Sequence, residues 1–162
     1  MIPETPLEYF VDIYMINGFP VDDYREFLVY SPGAGVSAGV KGFGHSNSVF
    51  FVYLESAYNA TTNPDINYAI TLQGGVGAGY DFTFTHIHVI PEISLGYIYS
   101  FYDVKYSDME TFYRNIIIRG SCEINTELFS KILFMQPALS FIFEDDDTLL
   151  SIDFLLGIKT KI

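Results

Sequence analysis

A long stretch of strict alternation in the middle of the chain limits what this sequence can fold into. From Ile87 to Phe101 every odd position is apolar or aromatic, and most even positions are polar or small. A period of two gives a β-strand with two unlike faces. Strands of globular proteins have about 5 or 6 residues, whereas a tilted strand that crosses a bilayer needs about 9 to 11. The length of this segment therefore favours a strand with one face toward lipid and the other toward a barrel interior.

The same alternation recurs along the chain and predicts eight strands in one meander. Their approximate bounds are Leu7–Met15, Leu28–Lys41, Val49–Tyr58, Ile66–Tyr80, Ile87–Phe101, Phe112–Ile124, Phe129–Glu144 and Leu150–Ile162. Short turns are expected at one end, at His45–Asn47, Asp81–Thr85 and Asn125–Thr126. Longer, more acidic connections are expected at the other end, at Asn17–Phe27, Ala60–Asp65 and Asp103–Glu110, with a short acidic loop at Glu144–Asp147. Such asymmetry is typical of outer-membrane barrels. We therefore predict an all-β fold, an antiparallel eight-stranded up-and-down transmembrane β-barrel, formed by one domain over residues 1–162.

Composition excludes several other classes of protein. The chain is 49% hydrophobic, yet no apolar run approaches the roughly 18 residues of a membrane-spanning helix. A net charge of -12 argues against nucleic acid as a partner, because phosphate binding relies on clustered basic residues. The single Cys122 permits no internal disulfide. The first residues lack a basic start and an apolar stretch, so we expect a mature form whose signal peptide has been removed, located in the bacterial outer membrane.

The charged residues decide which face of each strand points inward. A soluble barrel such as a lipocalin would hold an apolar ligand inside and place its charges in water. In the apolar set of this chain the only charges are Arg114 and Lys131, near predicted strand ends where long side chains reach the interface. We therefore expect the polar faces to form the interior, as a lumen network of Glu8, Asp12, Lys41, Glu55, Glu92, Arg119, Glu123, Asp153 and Lys159.

Buried charges must be paired, so we expect the two cations of strands two and six to neutralise neighbours. Arg119 and Lys41 are predicted to meet carboxylates among Glu55, Glu92 and Glu123. Eight strands enclose a space that side chains fill, so a continuous pore is not expected.

Three small motifs have a chemical interpretation that competes with a structural one. His86, His88 and Glu92 share one face and are candidate metal ligands, but two His and one carboxylate are an unspecific signal. Hydrogen-bonded lumen residues are the favoured interpretation, and no cofactor is predicted. His45 beside Ser46 invites a hydrolase hypothesis, although it falls in a predicted periplasmic turn. The glycine-rich segment 74–79 lacks the helix and the Lys of a phosphate-binding loop, which favours packing.

With these residues in view, the span from about Leu7 to Ile162 resembles the small eight-stranded outer-membrane barrels of the OmpA, OmpX and opacity-protein type. The eighth strand resembles the terminal assembly signal of that group, except that it ends in Ile162 where an aromatic residue is usual, and the chain has no Trp.

The resemblance implies a monomeric, non-enzymatic surface protein that is embedded in the outer-membrane bilayer. It would serve envelope integrity or contact a host or extracellular protein through its acidic external loops. The loop acids are Asp22, Asp23, Asp103, Asp108, Glu110, Asp145, Asp146 and Asp147. Two alternatives remain open at this point, an outer-membrane lipid deacylase and a soluble lipocalin-like ligand carrier.

Overall fold

Nine strands account for almost all of the described chain. The computed structural model describes residues 6–21, 28–43, 47–61, 64–105, 111–128, 131–144 and 148–162. The strands are β1 (Glu8–Val21), β2 (Leu28–Lys41), β3 (Ser48–Thr61), β4 (Ile66–Tyr80), β5 (Phe82–Phe84), β6 (Ile87–Val104), β7 (Thr111–Leu128), β8 (Lys131–Phe143) and β9 (Thr148–Lys161). Within these ranges no helix is long and apolar enough to cross a membrane.

The strands form one closed antiparallel sheet. Each long strand pairs with the next along the chain, and the ring closes where β1 pairs with β9, from Phe10↔Lys161 to Val21↔Leu150. The short β5 does not add a ninth strand to the wall. It continues β4 along the same edge of β6, since Gly79 pairs with Glu92 and Phe82 pairs with Val89 in one register. The wall is therefore an eight-stranded up-and-down barrel, as the alternation predicted.

Strand bounds agree with the sequence prediction for β2 and β4, and the other strands differ mainly at their ends. The turn predicted at Asn125 and Thr126 is wrong, because β7 continues to Leu128 and pairs there with Lys131. The turn predicted at Asp81–Thr85 contains the strand β5, and the chain reverses at Thr85 and His86. Thr85 adopts a positive φ of 53°, a conformation that few non-glycine residues take outside tight turns.

The two faces of the wall have opposite chemistry. The outward positions are apolar and exposed along every long strand, with Ile13, Val36, Leu54, Val76, Ile93, Leu95, Met135 and Leu156 among them. The inward positions hold the buried charges, including Asp12, Glu55, Arg119, Glu123, Asp153 and Lys159. Because this order is the inverse of a soluble ligand carrier, the structure excludes the lipocalin-like alternative and gives the barrel a lipid-facing surface.

Inward glycines make room for aromatic rings inside the narrow barrel. A Cβ atom added at Gly35 would lie 2.5 Å from the Tyr14 ring, and one added at Gly77 would overlap the Phe51 ring. Real Cβ atoms do not approach other heavy atoms so closely. These two positions therefore need glycine because a ring from another strand occupies the space of a side chain.

A charge placed on the middle of the outward face tests the orientation of the wall. Leu54 is 64% exposed near the midpoint of β3, so Leu54→Arg puts a guanidinium into hydrocarbon. We expect a loss of about 2–4 kcal/mol in the free energy of unfolding from lipid vesicles, measured by equilibrium denaturation. Thr160→Arg, also outward but close to the end of β9, is the matched control, with an expected loss of about 0–1 kcal/mol. Equal losses at the two positions would contradict the assigned orientation.

Candidate functional site

The centre of the lumen is organised around one buried ion pair. Arg119 of β7 and Glu55 of β3 are 4% and 2% exposed. Two parallel hydrogen bonds join them, from Nη1 to Oε1 at 2.7 Å and from Nη2 to Oε2 at 2.8 Å. A bidentate geometry of this kind fixes the orientation of both groups as well as compensating their charges. The strands β3 and β7 are not neighbours in the sheet, so the pair spans the interior.

Further hydrogen bonds connect this pair to residues of other strands. The Tyr14 hydroxyl donates to Glu55 Oε1 at 2.8 Å, and Gln73 donates to Glu55 Oε2. Arg119 Nε donates to the Ser140 hydroxyl at 3.1 Å, which in turn donates to Asp153 Oδ2 at 2.5 Å. We name Tyr14, Glu55, Gln73, Arg119, Ser140, Ser151 and Asp153 the central cluster. Its members satisfy one another, as a buried polar network requires.

A second polar cluster lies nearer the end of the barrel with the short turns. The Lys159 ammonium donates to Glu123 Oε1 at 2.5 Å and lies 4.0 Å from Asp12 Oδ2. The Lys159 nitrogen also lies 4.5 Å from the centre of the Phe10 ring, where the ring face attracts a cation. This turn-side cluster consists of Asp12, Ser37, Glu92, Ser121, Glu123, Asn125, Gln136 and Lys159.

Neutral donors hold two of the carboxylates of the turn-side cluster. Glu92 Oε2 accepts hydrogen bonds from Gln136 at 2.6 Å and from Ser121 at 3.3 Å. Glu123 Oε1 also accepts from Asn125 at 2.6 Å. Amides and hydroxyls satisfy an acceptor without contributing a positive charge. The turn-side cluster therefore contains three carboxyl groups, those of Asp12, Glu92 and Glu123, and one ammonium group, that of Lys159.

Apolar layers separate the clusters from the two ends of the barrel. Toward the short turns, Phe10, Val49 and Ile90 pack together inside the lumen. Toward the long loops, a second layer contains Ala69, Ile98, Ile117 and Ile142. Within the described residues, the cavities beside these layers are small, about 20 Å³ next to the turn-side cluster and about 50 Å³ next to the central cluster.

A third group of polar residues lies at the mouth of the barrel on the turn side. Lys41 Nζ and His88 Nδ1 approach Asp81 Oδ2 at 2.5 Å and 2.9 Å. Asp81 lies between β4 and β5, and burial by itself would raise its pKa. Hydrogen bonds from Lys41 and His88 outweigh that effect and hold the pKa of Asp81 below its usual value. The carboxylate therefore stays ionised and ties the ends of β2, β4 and β6 together.

The structure places most of the predicted lumen residues in these clusters. Asp12, Glu55, Glu92, Arg119, Glu123, Asp153 and Lys159 all line the interior. Arg119 meets Glu55, which was among its expected partners. The expected partner of Lys41 is wrong, because Lys41 pairs with Asp81 and not with Glu55, Glu92 or Glu123. Glu8 lies at the mouth, where its carboxylate is 3.4 Å from Lys161 and both side chains are exposed.

The candidate metal ligands His86, His88 and Glu92 are not brought together. His86 lies in the turn before β6, His88 contacts Asp81, and Glu92 lies deeper in the turn-side cluster. Among the residues that the structure describes, no group of three His, Cys, Asp or Glu side chains is arranged to hold a metal ion. His88 and Glu92 are hydrogen-bonded polar groups, whereas the His86 side chain is exposed and only its backbone carbonyl accepts a hydrogen bond, from Thr126.

Most of the acidic loop residues lie outside the described residues, namely Asp22, Asp23, Asp108, Glu110, Asp145, Asp146 and Asp147. Asp103 is described, and it lies within β6 and not in a loop, where it accepts a hydrogen bond from Asn67 at 2.8 Å. The pair belongs to the end of the barrel with the long connections.

Sequence reasoning missed two residues that organise the interior. Asp81 was assigned to a turn, although a buried acid directly after an alternating strand has the parity of an inward residue. Asn125 was also assigned to a turn because Asn is frequent there, and its side chain instead donates to Glu123. In both cases continuing the period-two count past the predicted strand end would have indicated the lumen.

No family model matches the sequence, and no curated protein matches it. Solved structures match the fold over nearly the whole chain. Neisserial surface protein A (NspA) superposes with a TM-score of 0.74 at 14% identity, covering 95% of this chain and 97% of that one. The fold is that of the small outer-membrane β-barrels. A major outer membrane protein from Thermus thermophilus gives a TM-score of 0.71 at 8% identity, covering 96% of this chain and 99% of its own.

Ail, the attachment invasion locus protein of Yersinia pestis, is a third similar structure. It gives a TM-score of 0.65 at 8% identity and covers 96% of this chain and 98% of its own. Ail has also been solved in complex with the heparin analogue sucrose octasulfate. At such low identity these likenesses establish a shared barrel and leave the lumen chemistry to be derived from this chain.

Removing the central cation tests the energetic weight of the central cluster. In Arg119→Met the Glu55 carboxylate stays buried without its partner, and we expect a loss of about 3–5 kcal/mol in the free energy of unfolding. Lys161→Met is the control, because Lys161 and Glu8 form an exposed pair worth about 0–1 kcal/mol. Urea titrations in vesicles would measure both. Adding Glu55→Gln to Arg119→Met should recover part of the loss, and an equal loss for Arg119→Met and Lys161→Met would contradict the assigned role.

Proposed function

We propose that this protein is a non-enzymatic surface barrel of the bacterial outer membrane, whose filled lumen makes it a rigid scaffold for acidic external loops. The observation that carries the proposal is the inverted barrel, with buried charges inside and an exposed apolar wall outside. In hydrocarbon every backbone polar group must be paired, and a closed barrel meets that condition without helices. We propose that the protein is a monomer, because the ring of strands closes within one chain. The loops would contact host or extracellular molecules, or the protein would support the envelope.

The layered interior supports a scaffold without a channel. The ion pair between Arg119 and Glu55 crosses the lumen at its centre, and apolar side chains pack on both sides of the polar clusters. Cavities of about 20 and 50 Å³ hold at most a few water molecules. A hydrated ion or a solute would have to displace side chains to pass.

Conductance measurement tests the filled lumen. We expect the purified protein to leave planar lipid bilayers without stepwise conductance under moderate voltage, because the central ion pair blocks the path. Arg119→Gly removes the side chain that crosses the lumen but should stay closed as well, because apolar layers remain on both sides of the polar clusters. Regular conductance steps from the unaltered protein would show that the interior is open and would overturn the scaffold proposal.

A group of three residues at the mouth has the composition of a hydrolase site but not its geometry. Thr83, His88 and Asp81 resemble a catalytic triad in composition, but the Thr83 hydroxyl and both Asp81 oxygens approach the same ring nitrogen, Nδ1 of His88. A relay needs the nucleophile on one ring nitrogen and the carboxylate on the other. The histidine of the hydrolase hypothesis, His45, and its neighbour Ser46 lie outside the described residues. Thr83, Asp81 and His88 therefore do not form such a relay, and we propose a hydrogen-bonding role for them.

The charge of the loop sequences indicates the charge of the partner that they would bind. Segment 144–147 reads Glu-Asp-Asp-Asp, and the chain as a whole carries a net charge of -12. The ligand solved with Ail, a heparin analogue, is a polyanion. Acidic loops would repel such a ligand and attract a basic one. We therefore propose a cationic patch on a host or extracellular protein as the partner.

Neutralising the loop tests this role on intact cells. In bacteria that display the protein, Asp145→Asn combined with Asp147→Asn should weaken binding of a lysine-rich polypeptide several-fold, and added salt should weaken the unaltered protein in the same way. Glu8→Gln combined with Glu127→Gln changes the charge equally at the turn end and should leave binding unchanged. If neither pair affects binding while deletion of the protein sensitises cells to detergent, the loops have no binding role and the scaffold serves envelope integrity.

A further inference from the structure

Among the described strand residues, two cations occupy outward positions, one near each end of the barrel. Arg114 is the fourth residue of β7, at the end with the long connections. Lys131 is the first residue of β8, at the end with the short turns. Both side chains are exposed. A charge on the lipid-facing surface is unfavourable unless it reaches the interface or meets a partner there, so each of these cations calls for an explanation outside the barrel wall.

The length of the uncharged wall places Arg114 at the level of the lipid headgroups. The outward positions of β7 carry no charge from Ile116 to Ile124, a segment of nine residues. A strand that crosses the hydrocarbon needs about 9 to 11 residues. Arg114 is the next outward position toward the long connections, which are external in outer-membrane barrels. Its guanidinium therefore lies where the hydrocarbon of the external leaflet ends.

Aromatic neighbours indicate the same level and orient the guanidinium. Tyr97 and Tyr99 of β6 pair with Ile116 and Arg114 of β7, and tyrosine is enriched where a membrane meets water. Arg114 Cζ lies 5.7 Å from the centre of the Tyr97 ring, within the distance at which a ring face attracts a cation. This contact orients the guanidinium without accepting conventional hydrogen bonds from its N–H groups, so these donors remain available for an acceptor.

No carboxylate of the described residues compensates the charge of Arg114. The ion pairs among those residues do not include it. Two acids near the same end accept hydrogen bonds from neutral amides, Glu144 from Asn115 at 2.8 Å and Asp103 from Asn67 at 2.8 Å. A guanidinium has five N–H donors and stays charged. Arg114 therefore presents a positive charge and several donors to the headgroup region.

Two acceptors fit such a group, a phosphate of the surrounding lipid and an acid of segment 145–147. Glu144 begins that segment, and its hydrogen-bond partner Asn115 belongs to the inward set of β7 positions, away from Arg114. The outward side chain of Arg114 instead projects to where lipid headgroups surround the wall. A phosphate also accepts two parallel hydrogen bonds from a guanidinium. These observations favour the lipid.

We propose that Arg114, oriented by the Tyr97 ring, binds the phosphate group of a glycolipid of the external leaflet, on the outer wall of the barrel. The site is separate from the acidic loops and does not depend on what they bind. It holds the barrel at a defined depth in the bilayer, because the phosphate lies at a fixed level above the hydrocarbon.

Binding of phosphorylated lipid A to the purified protein in a neutral detergent tests the site, with native mass spectrometry as the measurement. We expect Arg114→Gln to weaken binding several-fold, because the charge and the paired donors are lost. Lys131→Gln removes the outward cation at the other end and should leave binding unchanged. Lipid A without its phosphates should bind the unaltered protein several-fold less. Circular dichroism would show that both variants are folded.

Two results would overturn the proposal. One is binding of phosphorylated lipid A by Arg114→Gln at the level of the unaltered protein, which would be expected if Arg114 were paired with an acid of segment 145–147. The other is equal binding of lipid A with and without its phosphates, which would show that only the acyl chains are recognised.

Substitutions at Tyr97 test the orienting role of its ring. Tyr97→Phe keeps the ring face and should bind phosphorylated lipid A as the unaltered protein does. Tyr97→Leu removes the ring and should weaken this binding, while the two variants should bind lipid A without phosphates equally. Full binding of phosphorylated lipid A by Tyr97→Leu, or an equal loss in both variants, would overturn the role of the ring.

Discussion

Closure of the hydrogen-bonded ring between β1 and β9 is the constraint on which the rest of this structure depends. Lipid offers no hydrogen bonds, so a sheet with a free edge at that depth would leave a row of backbone donors and acceptors unpaired. Pairing from Phe10↔Lys161 to Val21↔Leu150 removes the edge. Once the ring is closed, successive side chains must point alternately to lipid and to the lumen. The apolar positions of the alternating sequence then face lipid, and the polar positions face the lumen.

Closure with eight strands also determines the chemistry of the interior. The enclosed space is narrow, so polar side chains from opposite walls touch, and the pairing of Arg119 with Glu55 is the result. Glycines at positions 35 and 77 admit Tyr14 and Phe51 into the same space. The interior is therefore a packed polar core surrounded by an apolar wall, which reverses the arrangement of a water-soluble domain.

The fold was predictable from the sequence because alternation is a local property, and for β2 and β4 the turn residues gave the bounds as well. Alternate positions along a strand face the interior, so counting along each strand predicts that Arg119 and Lys159 lie on the lumen side, where the structure has them. Pairing partners were a different problem, since Lys41 and Asp81 are 40 residues apart and their meeting depends on how far β4 runs. The wrong turns have the same origin. Asn and Asp are residue types that favour turns when the local sequence is considered alone. The partners of Asn125 and Asp81 depend on the register between strands, which the local sequence does not contain.

The short strand β5 is an exception to the pairing of every strand on both sides. Its residues Phe82–Phe84 pair with β6 on one side, while β3 has already ended at Ser48 opposite Tyr80. Among the described strands, β5 therefore pairs with β6 alone, and an unpaired edge is a template on which another extended chain can add itself. Three residues expose so few backbone groups that an added strand would gain little, and very short edge strands are one means by which proteins limit edge-to-edge pairing.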